Sequence, residues 1–175
     1  RMESLLVTFE YFNYLSERRK LVENWGISAL IQELSNESNE RKKLKIQNIE
    51  QQFNQQRDAY EKTNNTWYYD YKFHYSLYDQ LQNQLYAKDF SELYLKLRTF
   101  YSTYQTVYAI NDHYEIVQYI QNGLYKQVID SLNKHLDTAI CHARFWLTYI
   151  NQLCNSELVE ALQEYNRPQI GRAHV

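Results

Sequence analysis

Glycine and proline are almost missing from this chain: three glycines and one proline occur among 175 residues, against roughly 12% in average usage. Sheets turn back on themselves through these two residues, which supply a positive φ or a fixed bend at low cost. A chain with so few of either is not expected to build an all-β or doubly wound α/β fold. The expected class is all-α. An apolar fraction of 44% can fill a core, and a charged fraction of 23% is not that of a disordered segment. Lys and Arg number 19 against 21 Asp and Glu, a net charge of −2, so a phosphate-binding surface is not the dominant feature. This length suits one domain.

The rare breakers divide the sequence into helices. From Met2 to Trp25, apolar residues at Leu5, Leu6, Phe9, Phe12, Leu15, Leu21 and Val22 follow helical spacing. Gly26 is read as the stop of that helix, with a short apolar helix, Ile27 to Leu34, after it. A polar helix from Asn39 to Lys62 carries the stripe Ile46, Ile49, Phe53 and Tyr60. Further helices are expected from Trp67 to Lys88, from Asp89 to Ala109, from His113 to Asn122 behind an Asn111–Asp112 cap, and from Leu124 to Leu153 and on toward Tyr165. The result is an antiparallel bundle of about six or seven helices over residues 1–166. The tail 167–175 reads as vector-derived and is set aside. No apolar run approaches the roughly 18 residues of a membrane span. No membrane partner is therefore expected, and the chain is read as cytoplasmic, with Cys141 and Cys154 as reduced thiols.

Chemistry concentrates on the histidines. Asp70 and His74 stand four apart on one helix, so both side chains leave the same face about one turn from each other and can reach one cation. His113 and His135, 22 residues apart, fall on two further helices. Three imidazoles and a carboxylate would suit Zn, Ni, Fe or Mn. Spacing alone leaves a surface Asp–His pair and buried, satisfied histidines as equally good readings. Trp67, Tyr71 and Tyr78 flank the Asp70–His74 face at helical spacing, where aromatic residues serve a core as readily as a ligand.

A longer pattern favours the metal. Asp70-Tyr71-Lys72-Phe73-His74, with Asn83 nine residues beyond the histidine, resembles the Asp-x3-His block of the FCD domain. That domain is the effector-binding C-terminal part of GntR-family transcriptional regulators of the FadR subfamily. His113, Ile116, Ile120 and Gly123 resemble the family's His-x2-Ile-x3-Ile-x2-Gly block, and the interval to His135 is also similar. The resemblance implies an all-α bundle with a central cavity. It implies a divalent metal (Zn, Ni, Fe or Mn) on Asp70, His74, His113 and His135, with Asn83, Tyr71 and Tyr78 toward the ligand. A small metabolite, such as a carboxylate, would take the open positions of a structural, non-catalytic metal. The domain would work as a homodimer, and DNA would be bound only through an N-terminal winged helix-turn-helix segment that this chain lacks.

The sequence departs from the family in its first half. The family's cavity-facing Arg of the first helix has no counterpart between Met2 and Glu17, and Arg18 and Arg19 come late. The effector is therefore expected to be less anionic, or its charge to be held by the metal alone. Two other readings stay open: a metal-dependent enzyme on a helical bundle, and a metal-free helical interaction module. An enzyme would need a base or nucleophile beside the metal, and no His-Glu-x-x-His or Glu-x-x-His motif supplies one.

Overall fold

The computed structural model describes residues 2–62, 66–101 and 107–165. Six helices run over them: α1 (Met2–Asn36), α2 (Asn39–Lys62), α3 (Thr66–Ser76), α4 (Leu85–Tyr101), α5 (Val107–Gln121) and α6 (Tyr125–Tyr165). No strand occurs among the described residues, so the all-α expectation holds. The tail 167–175 lies outside them. No helix of the described residues is long and apolar enough to cross a membrane. Cys141 is exposed and free, and the side chain of Cys154 is not among those described.

The first helix corrects the sequence reading. It does not stop at Gly26 but continues as one helix to Asn36. Phe12, Leu15, Val22, Ile27, Leu30 and Leu34 keep a helical period and are all buried, so the packed face carries the helix through its glycine. Gly26 serves a close approach instead: a Cβ built there would lie 2.5 Å from Cδ1 of Tyr78. Gly123 does end a helix. Its φ is +67°, the Leu124 N–H bonds the Tyr119 carbonyl at 2.9 Å, and the Gly123 N–H bonds that of Ile120 at 3.2 Å, a Schellman closure of α5.

The helix expected from Trp67 to Lys88 is shorter than its pattern. α3 ends at Ser76 and tightens into turns, with the Leu77 N–H reaching His74 O at 3.1 Å and the Tyr78 N–H reaching Tyr75 O at 2.9 Å. This winding buries Leu77, Tyr78 and Leu81 together. Asn83 then caps α4, its Oδ1 accepting the Leu85 N–H at 3.1 Å.

α1 packs against α4 and α6, α2 against α3 and α5, and α5 against α6. α1 and α6 run antiparallel: Asn13 meets Arg144 at 2.8 Å, Lys20 meets Asp137 at 2.6 Å, and Asn24 meets Asn133 at 2.8 Å. α2 and α3 are antiparallel as well, with Lys45 beside Gln80 and Gln56 beside Asp70. Between the helices lies one core that includes Phe12, Phe53, Phe73, Phe90, Leu97 and Leu132, each such side chain contributing roughly 1.5–3 kcal/mol on burial. A group of polar side chains is enclosed within it.

Candidate metal centre

Every helix sends a polar side chain to one point in the bundle. α1 supplies Arg19 and Glu23, α2 Gln56, α3 Asp70 and His74, α4 Tyr94, α5 Asp112 and His113, and α6 His135. His74, His113 and His135 are buried, as are Arg19, Glu23 and Gln56. Burying such groups costs several kcal/mol unless each finds partners, and each does.

The three imidazoles converge through Nε2. The Nε2 of His113 lies 3.1 Å from that of His74 and 3.0 Å from that of His135. Each ring turns its other nitrogen to an oxygen: His74 Nδ1 to Glu23 Oε2 at 2.7 Å, His113 Nδ1 to Gln56 Oε1 at 2.7 Å, and His135 Nδ1 to Asp112 Oδ2 at 3.2 Å. An oxygen acceptor requires a proton on Nδ1, so a neutral ring carries its lone pair on Nε2. Burial holds His113 well below the usual histidine pKa, and the neighbouring His135 and His74 add to the shift. Burial also lowers His135, partly opposed by its bond to Asp112. The Nε2 atoms of His74 and His135 therefore each face that of His113 at about 3 Å, an arrangement that a shared cation stabilises. Two nitrogens bound at ~2.05 Å to one tetrahedral cation would stand about 3.3 Å apart. These three buried histidines are close enough to hold a metal ion.

Asp70 stands at the rim. Its Oδ1 is 3.8 Å from His113 Nε2 and accepts from Gln56 Nε2 at 3.0 Å, while its Oδ2 accepts from the Tyr94 hydroxyl at 2.7 Å. It is the most exposed of the four expected ligands, with its side chain 24% accessible. Burial, and the charge of Asp70, push the Tyr94 hydroxyl far above its ordinary pKa, so it remains a donor.

Glu23 is the hub of the opposite side. Its side chain is 0% accessible and takes hydrogen bonds from Arg19 Nε at 2.5 Å, His74 Nδ1 at 2.7 Å and the Tyr78 hydroxyl at 2.9 Å. Burial would raise its pKa, but Arg19 and His74 outweigh burial and hold the carboxyl well below the usual range. Glu23 thereby aims the Arg19 guanidinium, whose Nη2 comes within 3.5 Å of His74 Nε2. The expectation that the first helix brings no cation to the site is corrected here. Arg19, which seemed to come late, is on the buried face of α1, at helical spacing from Phe12, Leu15 and Val22.

Of the ligand residues expected from the sequence, Tyr78 joins the site through Glu23, and Tyr71 and Asn83 bond elsewhere. The Tyr78 hydroxyl bonds Glu23. The Tyr71 hydroxyl pairs with Ser91 at 2.8 Å, and its ring stacks on Phe90. Asn83 is exposed and borders a surface groove with Glu33, Glu37 and Arg41, none of the histidines among its walls.

Arg19, Glu23, Gln56, Tyr94 and the liganding side of Asp112 were not identified from sequence. Arg19 and Glu23 interrupt an apolar stripe at positions the helical period marks as inside. Gln56 fills the seven-residue gap between Phe53 and Tyr60 in the α2 stripe. A polar residue at an inward position was the available signal. Compared with known proteins, the chain matches no protein-family model, no curated protein and no solved structure.

Proposed function

We propose that this chain is a metal-containing, small-molecule sensing domain of the FCD type, serving a GntR-family transcriptional regulator. The carrying observation is the set of three buried, convergent Nε2 atoms, each ring turned inward by an oxygen on its Nδ1. This is the pattern that orients histidines toward a metal. His74, His113 and His135 would hold one divalent cation (Zn, Ni, Fe or Mn), with Asp70 able to turn its Oδ1 toward it from the rim. When bound, the cation would supply Lewis acidity and open positions for an effector's oxygens.

The chain's own groups then select the effector. Arg19 sets a guanidinium beside the metal position, which favours an anionic oxygen between the two positive groups. Ser16, three residues earlier on the same buried face, has a hydroxyl with no hydrogen-bond partner among the described residues, and a buried hydroxyl ordinarily finds one. A small carboxylate or related metabolite fits these groups. In this reading the effector shifts a homodimer between two states by binding one more tightly. DNA is contacted only through a separate winged helix-turn-helix segment of the parent protein, in the cytoplasm.

Among the described residues, the carboxylates at the site are engaged, Glu23 and Asp112 by histidine Nδ1 atoms and Asp70 by Gln56 and Tyr94, which favours a sensor over an enzyme. The test is metal content after purification without chelator or nickel resin, and again after reconstitution with Zn, Ni, Fe and Mn separately. About one equivalent per chain, lost in His113→Ala, is expected. No stoichiometric metal after any reconstitution overturns the reading.

A further inference from the structure

Two of the three histidines are held by carboxylates and one by an amide, and the difference carries a consequence. A carboxylate can only accept, so Glu23 and Asp112 hold His74 and His135 as Nδ1–H in any orientation. Gln56 is different, because an amide can turn over. With its oxygen toward His113 it fixes Nδ1–H and leaves Nε2 free to ligate. With its nitrogen there it would donate to Nδ1, drive the proton to Nε2 and close His113 to a metal. What decides is the other end of the amide. Gln56 Nε2 is 3.0 Å from Asp70 Oδ1, and a carboxylate there demands the NH2 group. The oxygen is therefore left for His113 Nδ1, at 2.7 Å.

We propose that Gln56 is a positioning residue that relays the carboxylate of Asp70 on α3 into the tautomer of His113 on α5. Gln56 is only 2% exposed, so water does not compete for either end. The amide also solves a charge problem. A third carboxylate at this position would face Asp70 directly, whereas the amide accepts from one neighbour while donating to the other. The effect on metal affinity rests on the metal reading above; the tautomer does not.

The experiment is imidazole 15N NMR of the metal-free protein, which distinguishes Nδ1–H from Nε2–H, combined with Co2+ titration. In the wild type, His113 is expected as Nδ1–H, against the pull of the His74 and His135 Nε2 atoms at 3.1 and 3.0 Å, which would accept from an Nε2–H. In Asp70→Ala, the relay predicts that an Nε2–H population of His113 appears. The direct electrostatic effect has the opposite sign, since removing a negative charge 3.8 Å from Nε2 disfavours a proton there. A His113 that stays wholly Nδ1–H in Asp70→Ala overturns the relay. The double variant Asp70→Ala/Gln56→Glu, whose carboxylate no longer faces Asp70 and can only accept, returns His113 to Nδ1–H and serves as the rescue. Gln56→Met releases the tautomer and weakens Co2+ binding by about 10–100-fold, with His74 and His135 unchanged as internal references. If Gln56→Met does not fold, Asp70→Ala and the Asp70→Ala/Gln56→Glu double variant decide the matter. If the wild type binds no Co2+, the metal reading falls, and the tautomers still test the relay.

Discussion

Two glycines show how differently the same residue can be required. At Gly26 the limit is space. Cβ would meet Cδ1 and Cε1 of the Tyr78 ring at 2.5 and 2.7 Å, and Tyr78 is pinned by its bond to Glu23. Alanine is a better helix former by about 1 kcal/mol, but overpacking costs about 1–3 kcal/mol. Gly26→Ala is therefore expected to lose about 1 kcal/mol net, a melting-temperature drop of roughly 3 °C. Displacing the Tyr78 hydroxyl should also loosen Glu23 and weaken metal binding. Calorimetry with a metal titration checks both, and a variant that melts higher with unchanged affinity would show that the ring yields freely. The sequence could not distinguish this glycine from a helix stop, because a close contact between α1 and the turn after α3 leaves no local mark.

At the scale of elements, the legible boundaries were those set by backbone conformation. The helix expected to end at Asn122 ends at Gln121, since the φ of +67° at Gly123 is a local demand that only glycine meets cheaply. The end of α3 was not read, because Leu77, Tyr78 and Leu81 suit a helix and tight turns equally well, and burial against α1 and α4 decides. Asp112 was read as a cap and lies inside α5, which begins at Val107. Its carboxylate serves His135 on α6. The α5–α6 turn thus sets the approach of His113 to His135. Nothing lies within 4 Å of a Cβ at Gly123, so its requirement is purely conformational. Gly123→Ala should cost about 1–2 kcal/mol from the left-handed conformation alone, and Gly123→Asn, which tolerates that conformation better, clearly less. Equal melting temperatures for the two variants would mean that φ is not what the position requires.

For the whole molecule, the three histidines were singled out by the family-like blocks around them and not by spacing alone, since they lie on three different helices, α3, α5 and α6. The groups that orient them, Arg19, Glu23 and Gln56, were passed over because their residue types are ordinarily exposed, although their inward positions marked them. The assembled bundle shows them buried, and the burial of ionisable groups at this centre makes the fold sensitive to acid. His113 and His135 are held below the usual histidine pKa of about 6.5, so between that value and their folded pKa the unfolded chain binds more protons than the native one. Stability then falls as pH drops below about 6.5. Glu23 is depressed below the usual carboxylate value of about 4.3. Its contribution is complete above that pH and is lost as pH falls further, again because the unfolded state takes up the proton first. Both effects have the same sign, so the melting temperature of the metal-free protein should be level from pH 7 to 9, decline below about 6.5, and decline more steeply below about 4.3. With Zn2+ bound the first decline should sharpen, since protons then compete with the cation for the same Nε2 atoms. Scanning calorimetry across this range, with and without Zn2+, measures both. A melting temperature unchanged from pH 8 to 5 in the metal-free protein would mean that His113 and His135 are not held buried and neutral at the centre of the bundle.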